Sequence, residues 1–103
     1  MRETSFRQML DQENALRVRF EMDQGVIVKF VTQLECLIDM KWTAVIRYDT
    51  AHDFAHCDKL HPYKATEKMV LRTQDYNEAL TYAMDDLQDN WQRYRRRYEK
   101  WIK

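Results

Sequence analysis

From Leu16 to Asp23 the chain alternates strictly between apolar and charged positions, with Leu16, Val18, Phe20 and Met22 set against Arg17, Arg19, Glu21 and Asp23. A period of two is that of a strand with one face buried. Asp23-Gln24-Gly25 follows, and its glycine sits where a hairpin turn needs a residue tolerant of positive φ. A second strand is predicted from Val26 to Ile38, with Val28, Phe30, Thr32, Leu34, Cys36 and Ile38 on one face. That length is unusual for a strand and predicts a bend or bulge within it. Asp39-Met40-Lys41 reads as a turn and Trp42 to Asp49 as a third strand, with Arg47 and Asp49 on one face.

The pattern changes at both ends. Thr4 to Gln12 places Phe6, Met9 and Leu10 at helical spacing behind Thr4 and Ser5, which predicts a short N-terminal helix. His61-Pro62-Tyr63-Lys64 reads as a turn, and Glu67 to Arg72 as a short fourth strand. From Asp75 to Ile102, the residues Leu80, Met84, Leu87, Trp91, Tyr94, Tyr98 and Ile102 recur at steps of three and four, one continuous helical stripe. Acids fill the first half of this helix and bases its end, up to Lys103, the order that its dipole favours; Thr73 is the expected cap. The predicted class is α+β: a short N-terminal helix, an antiparallel meander of three or four strands, and a long C-terminal helix across one sheet face, in a single domain over residues 1–103.

A helix of that length spans about 42 Å, against roughly 35 Å for a compact domain of this size, so its end is expected to overhang, bend or pack on another chain. Tyr94, Arg95, Arg96, Arg97, Tyr98 and Trp101 are therefore candidates for a partner-binding surface or a homo-oligomer contact. Equally, the aromatics can cover the sheet while the arginines stand in solvent.

Charge narrows the partners. Seventeen basic and seventeen acidic residues cancel, which argues against broad, non-specific binding to nucleic acid. Two cysteines make no disulfide framework, no apolar run reaches the length of a membrane span, and no N-terminal apolar segment suggests export; a cytoplasmic protein without membrane contact is expected.

Chemistry concentrates between Arg47 and His61, where fifteen consecutive residues hold all three histidines, three aspartates, Arg47 and Cys57. Histidine titrates near neutrality and also binds metals, so such a cluster suggests a site. One scheme is metal-free phosphodiester cleavage: two of His52, His56 and His61 act as general base and acid, Arg47 steadies charge on phosphate, and Asp49 orients a partner. Another is a metal held by His52 and His56 with Asp58, His61 or Cys57, a weaker signal because H-x-x-x-H recurs by coincidence. Histidines that cap turns in a long loop are the plain structural alternative. No metal or cofactor is expected. A nucleophilic Cys57 ranks low, and Cys36 is read as a core residue.

The run Arg47-Tyr48-Asp49-Thr50-Ala51-His52, with His56 and Asp58 after it, resembles the arginine-aromatic-aspartate-x-alanine-histidine signature of the small TumE-like proteins, toxins of bacterial and archaeal toxin–antitoxin pairs, and their uncharacterised relatives. The likeness covers the strand ending at Tyr48, the histidine loop and, more loosely, the preceding strands and terminal helix. It points to Arg47, Asp49, His52 and His56. Asp53 stands where a glycine is common in that pattern. The resemblance implies a toxin context; with the histidine chemistry, RNA is the expected target and an antitoxin protein the expected partner. The alternative is a non-enzymatic interaction protein, such as a phage-encoded inhibitor of a host defence complex, binding through the long helix.

Overall fold

A computed structural model of the chain describes residues 1–102, apart from the side chain of His52. Six strands form one antiparallel sheet in sequential order: β1 (Arg2–Asp11), β2 (Asn14–Asp23), β3 (Val26–Ile38), β4 (Lys41–Asp49), β5 (His56–Lys59) and β6 (Glu67–Val70). The helix α1 (Tyr76–Ile102) packs on one face, and a single 3-10 turn, Ala51–Asp53, links β4 to β5. The fold is α+β, but it corrects the predicted one at two points. Among the described residues there is no N-terminal helix, and the strands number six rather than three or four.

Thr4 to Gln12 lies almost wholly in β1, because pairing decides where propensity does not. Phe6 lies opposite Val18 and Gln8 opposite Leu16, and the bulge between Met9 and Asp11 breaks the alternation that would have marked the strand in sequence. The other additional strand, β5, falls inside the stretch read as a loop.

Two hairpin turns take the twist-matched form with two consecutive positive φ values, Gln24-Gly25 (50° and 81°) and Asp39-Met40 (51° and 66°). The expected irregularity in β3 is present near its start, where Glu21 pairs with Lys29 and Met22 with Ile27. The extra residue, Val28, reverses the alternation, so Ile27 rather than Val28 enters the core. A second extra residue, Val45, sits in β4 between the pairs Glu35–Ala44 and Leu34–Ile46.

The core lies between sheet and helix. Leu16, Val18, Phe30, Leu34, Ile46 and Tyr48 meet Ala79, Leu80, Ala83, Leu87, Tyr94 and Tyr98 of α1. Asp75 caps the helix, its Oδ1 accepting from the amides of Asn77 (3.0 Å) and Glu78 (3.3 Å), while the hydroxyl of Thr73 accepts from Asp75 N. Near this end the side-chain oxygen of Asn77 accepts from Ile27 N at 2.9 Å, pinning the helix to the β2–β3 turn. Towards the other end Arg95 donates to Asn14 Oδ1 and Leu37 O, both at 2.9 Å, and to Glu13 O at 3.3 Å, tying the helix to two further hairpins.

The molecule measures 45 × 27 × 20 Å, so a helix of about 40 Å lies along its long axis and needs neither overhang nor partner to be accommodated. The expectation of an overhang assumed a rounder body. Among the described residues, no helix is long and apolar enough to cross a membrane.

Candidate functional site

The sheet face opposite the helix is largely polar, and the register sets which of its residues meet. Arg47 of β4 lies opposite Asp58 of β5, and Asp49 opposite His56. Alternation sends Tyr48 and Cys57 to the core and leaves these four on the open face. His56 is nevertheless buried, 1 % exposed, beneath the Phe54 ring, whose centroid lies 5.5 Å from its own.

The geometry around this imidazole is specific. His56 Nε2 lies 2.8 Å from Asp49 Oδ1 and 3.5 Å from Asp58 Oδ2. Its other nitrogen, Nδ1, faces the Phe54 carbonyl at 3.4 Å. Asp49 Oδ1 also accepts from Ala51 N at 3.1 Å, which fixes the carboxylate. Asp58 is 8 % exposed, and its Oδ1 is buried with no hydrogen-bond partner. Asp49, His56 and Asp58 thus present three possible donor atoms within 4.8 Å of one another.

Other expected members fall elsewhere. Arg47 Nε donates to Gln33 Oε1 at 2.9 Å, and Gln33 Nε2 in turn donates to Glu35 Oε2 at 2.6 Å, beside Arg17. Arg47 therefore borders the trio and heads a hydrogen-bonded row across the open face. Burial pushes the Glu35 carboxyl up, but bonds from Arg17 and Gln33 and the charges of Arg17 and Arg7 outweigh it, and its pKa falls below the usual value. His61 leaves the site altogether. Its Nδ1 accepts from Tyr63 N (3.0 Å) and Lys64 N (3.1 Å), and its ring stacks on Trp101 at 4.3 Å, on the helix side of the sheet. It caps a turn. The side chain of His52 lies outside the described residues, as does Lys103; the backbone of His52 is in the 3-10 turn. Asp53, where the resemblance suggests glycine, has φ 66°, a left-handed conformation that aspartate tolerates and glycine takes freely.

Cys57 is buried on the helix face, and burial raises its thiol pKa to about 11; burial lifts Cys36 to about 12. Neither is a nucleophile at neutral pH.

At the helix, Arg97 lies over the rings of Tyr94 and Trp101, 5.2 Å from each centroid. Tyr98 is buried, Arg95 holds the hairpins, and only Arg96 of the six candidate partner-binding residues is exposed. Sequence reasoning missed the group behind this stack. Asp86 accepts from Tyr48 (2.6 Å), Tyr94 (2.7 and 2.8 Å) and Asn90 (2.9 Å). Burial, reinforced by that carboxylate, raises the Tyr48 phenol and takes Tyr94 to about 12. The available signal was an acid eight residues before an inward tyrosine, which the acidic first half of the helix conceals.

Fold and site together define a six-stranded α+β domain with an Asp-His-Asp cluster on its uncovered sheet face. The chain belongs to the DUF7718 family, a domain of unknown function, whose model matches residues 1–103. No curated protein and no solved structure matches it.

Proposed function

We propose that the protein is toxin-like and acts on RNA at the open sheet face around Asp49, His56 and Asp58, and that an antitoxin partner silences it by covering this face. One observation carries the reading: a histidine and two aspartates are gathered on the sheet face that has no core to form, and two of the three are buried. Burying such groups is costly unless they are used or fully paired, and Asp58 is not fully paired. The resemblance of Arg47-Tyr48-Asp49-Thr50-Ala51-His52 to the TumE-like signature supports the toxin context. Arg47 and Arg19 supply local positive charge for a phosphate on a chain whose net charge is zero.

Of the expected acid–base pairs, the one joining His56 to His61 does not form. His56 and His61 sit on opposite sides of the sheet, and both ring nitrogens of His56 already face oxygen atoms, so this pair does not assemble. The helix-mediated inhibitor ranks second, because five of its six candidate residues turn inward or are partly buried.

Induced expression tests the proposal. The intact protein should arrest growth and leave fragmented RNA; His56→Gln and Asp58→Asn, matched for soluble level and circular dichroism, should do neither. Arrest that survives both substitutions refutes it.

A further inference from the structure

We infer that Asp49, His56 and Asp58 form a binding site for a single divalent cation of the manganese-to-zinc series. The inference concerns the residues of the proposed function but rests on their geometry, so the two can fail separately.

The argument begins with His56. Its Nδ1 points at a backbone carbonyl and its Nε2 at two carboxylates. Nε2 either carries the ring proton and donates it to Asp49, or turns a lone pair towards two carboxylates, the arrangement that a cation between them completes. A ring proton satisfies the 2.8 Å contact to Asp49, but it leaves Asp58 Oδ1 buried without a partner. A dication balances both carboxylates and accepts the Nε2 lone pair, and an Asp58 that binds it through both oxygens gives the orphaned Oδ1 a partner.

The donors suit such an ion. One imidazole and two carboxylates are ligands shared by zinc and manganese. With metal–ligand distances near 2.0–2.2 Å, neighbouring donors in a tetrahedral shell lie about 3.3 Å apart. The 3.5 Å separation already fits, and the 2.8 Å one needs to open by about half an ångström as the proton gives way to the metal. The surroundings are those of a ligand shell as well. Phe54 O orients the ring through Nδ1, and Ala51 N holds Asp49 Oδ1, the outer contacts that fix metal-binding imidazoles and carboxylates. Three protein donors leave a position open, and Asp49 is where it can be reached. Its side chain is the most exposed of the three and borders a cleft of about 170 Å³ shared with Thr50, Ala51, Arg19 and Lys29.

The test uses the intact protein, stripped with a chelator and titrated with Mn²⁺, followed by the electron-spin signal of the free ion, and with Zn²⁺, followed by competition with a chromogenic indicator. Wild type should bind one equivalent of either ion. Asp49→Asn, Asp58→Asn and His56→Gln should each weaken binding at least tenfold. Wild-type protein also gives an answer that needs no variant: Mn²⁺ should broaden the amide resonances around residues 49, 56 and 58 before any others. Absence of saturable binding, equal binding in all three variants, or broadening centred elsewhere overturns the site. Cation binding without RNA cleavage would leave the site standing and remove the proposed function; arrest that requires His56 in a protein that binds neither ion would do the reverse.

Discussion

Arg95→Ala should destabilise the protein by about 3 kcal/mol, far more than a substitution in a run of surface arginines suggests. The side chain is 17 % exposed, and its two shortest bonds join a charged donor to Asn14 Oδ1 and Leu37 O at 2.9 Å. Hydrogen bonds to a charged group contribute about 1.5–3 kcal/mol each, and the two share one side chain, so their sum falls short of simple addition. The ion pairs to Glu13 (3.8 Å) and Glu99 (3.5 Å) are longer and more exposed and add little. Set against about 5–15 kcal/mol for a domain of this size, the loss is large; it corresponds to a fall in Tm of roughly 12–24 °C. Urea unfolding followed by circular dichroism measures it, with the exposed neighbour Arg96→Ala as control, expected within about 0.5 kcal/mol of wild type. Arg95→Lys should recover part of the loss, since one ammonium cannot span both acceptors in the fork geometry of a guanidinium. If Arg95→Ala and Arg96→Ala are equally benign, the helix is not held by this clamp.

Two further outcomes follow from the charges. Because burial raises Cys36 to about 12 and Cys57 to about 11, the native protein at pH 8 should not react with dithiobis(nitrobenzoate) within minutes, and should release two equivalents once unfolded; rapid reaction of one thiol in the native state would contradict the buried placement. Glu35 has a folded-state pKa below its ordinary 4.5, so its contribution is complete above that value and is lost as pH falls through the lower, folded one. Glu35→Gln should therefore cost about 1 kcal/mol at pH 7 and flatten the acid side of the stability profile; identical slopes between pH 5 and pH 3 for the two proteins would show that the Arg17 and Gln33 contacts do not hold.

The parts of this fold that sequence revealed are those where one strong pattern acts alone. Leu16 to Met22 alternates because β2 is flanked by strands on both sides and covered on one face only. The stripe from Leu80 to Ile102 marks a helix because a long element repeats its signal many times. β1 was hidden because it is an edge strand whose apolar residues are poorly covered: Phe6 and Met9 are both exposed, and their spacing with Leu10 imitates a helical turn. β5 was hidden for a different reason. It is only four residues long and includes Asp58, a poor strand former, and it is held in the sheet by pairing with β4 and β6. The same residues explain what was legible in the site. Arg47, Asp49 and His56 stood out by chemical type, but only the antiparallel register shows that Asp49 and His56 face each other, that Asp58 joins them, and that His61 passes to the other side. At the end of α1, aromatic and arginine residues read as a recognition surface because the sequence cannot show that Tyr94, Arg97, Trp101 and His61 stack on one another.

The sequential strand order has a consequence for how the protein is made. Each strand pairs with the one synthesised just before it, so the sheet can assemble as the chain grows, without waiting for distant partners. Its apolar face is sealed only by α1, which follows all six strands. At ordinary elongation speeds of about 5–20 residues per second, the ribosome needs roughly 2–6 s to pass from Val70 to Ile102. Throughout that interval Leu16, Val18, Leu34 and Ile46 line an uncovered sheet. A nascent chain stalled there should be a client for chaperones or proteases, which makes the abundance of this protein depend on the translation of α1 as much as on the sheet that carries the candidate site.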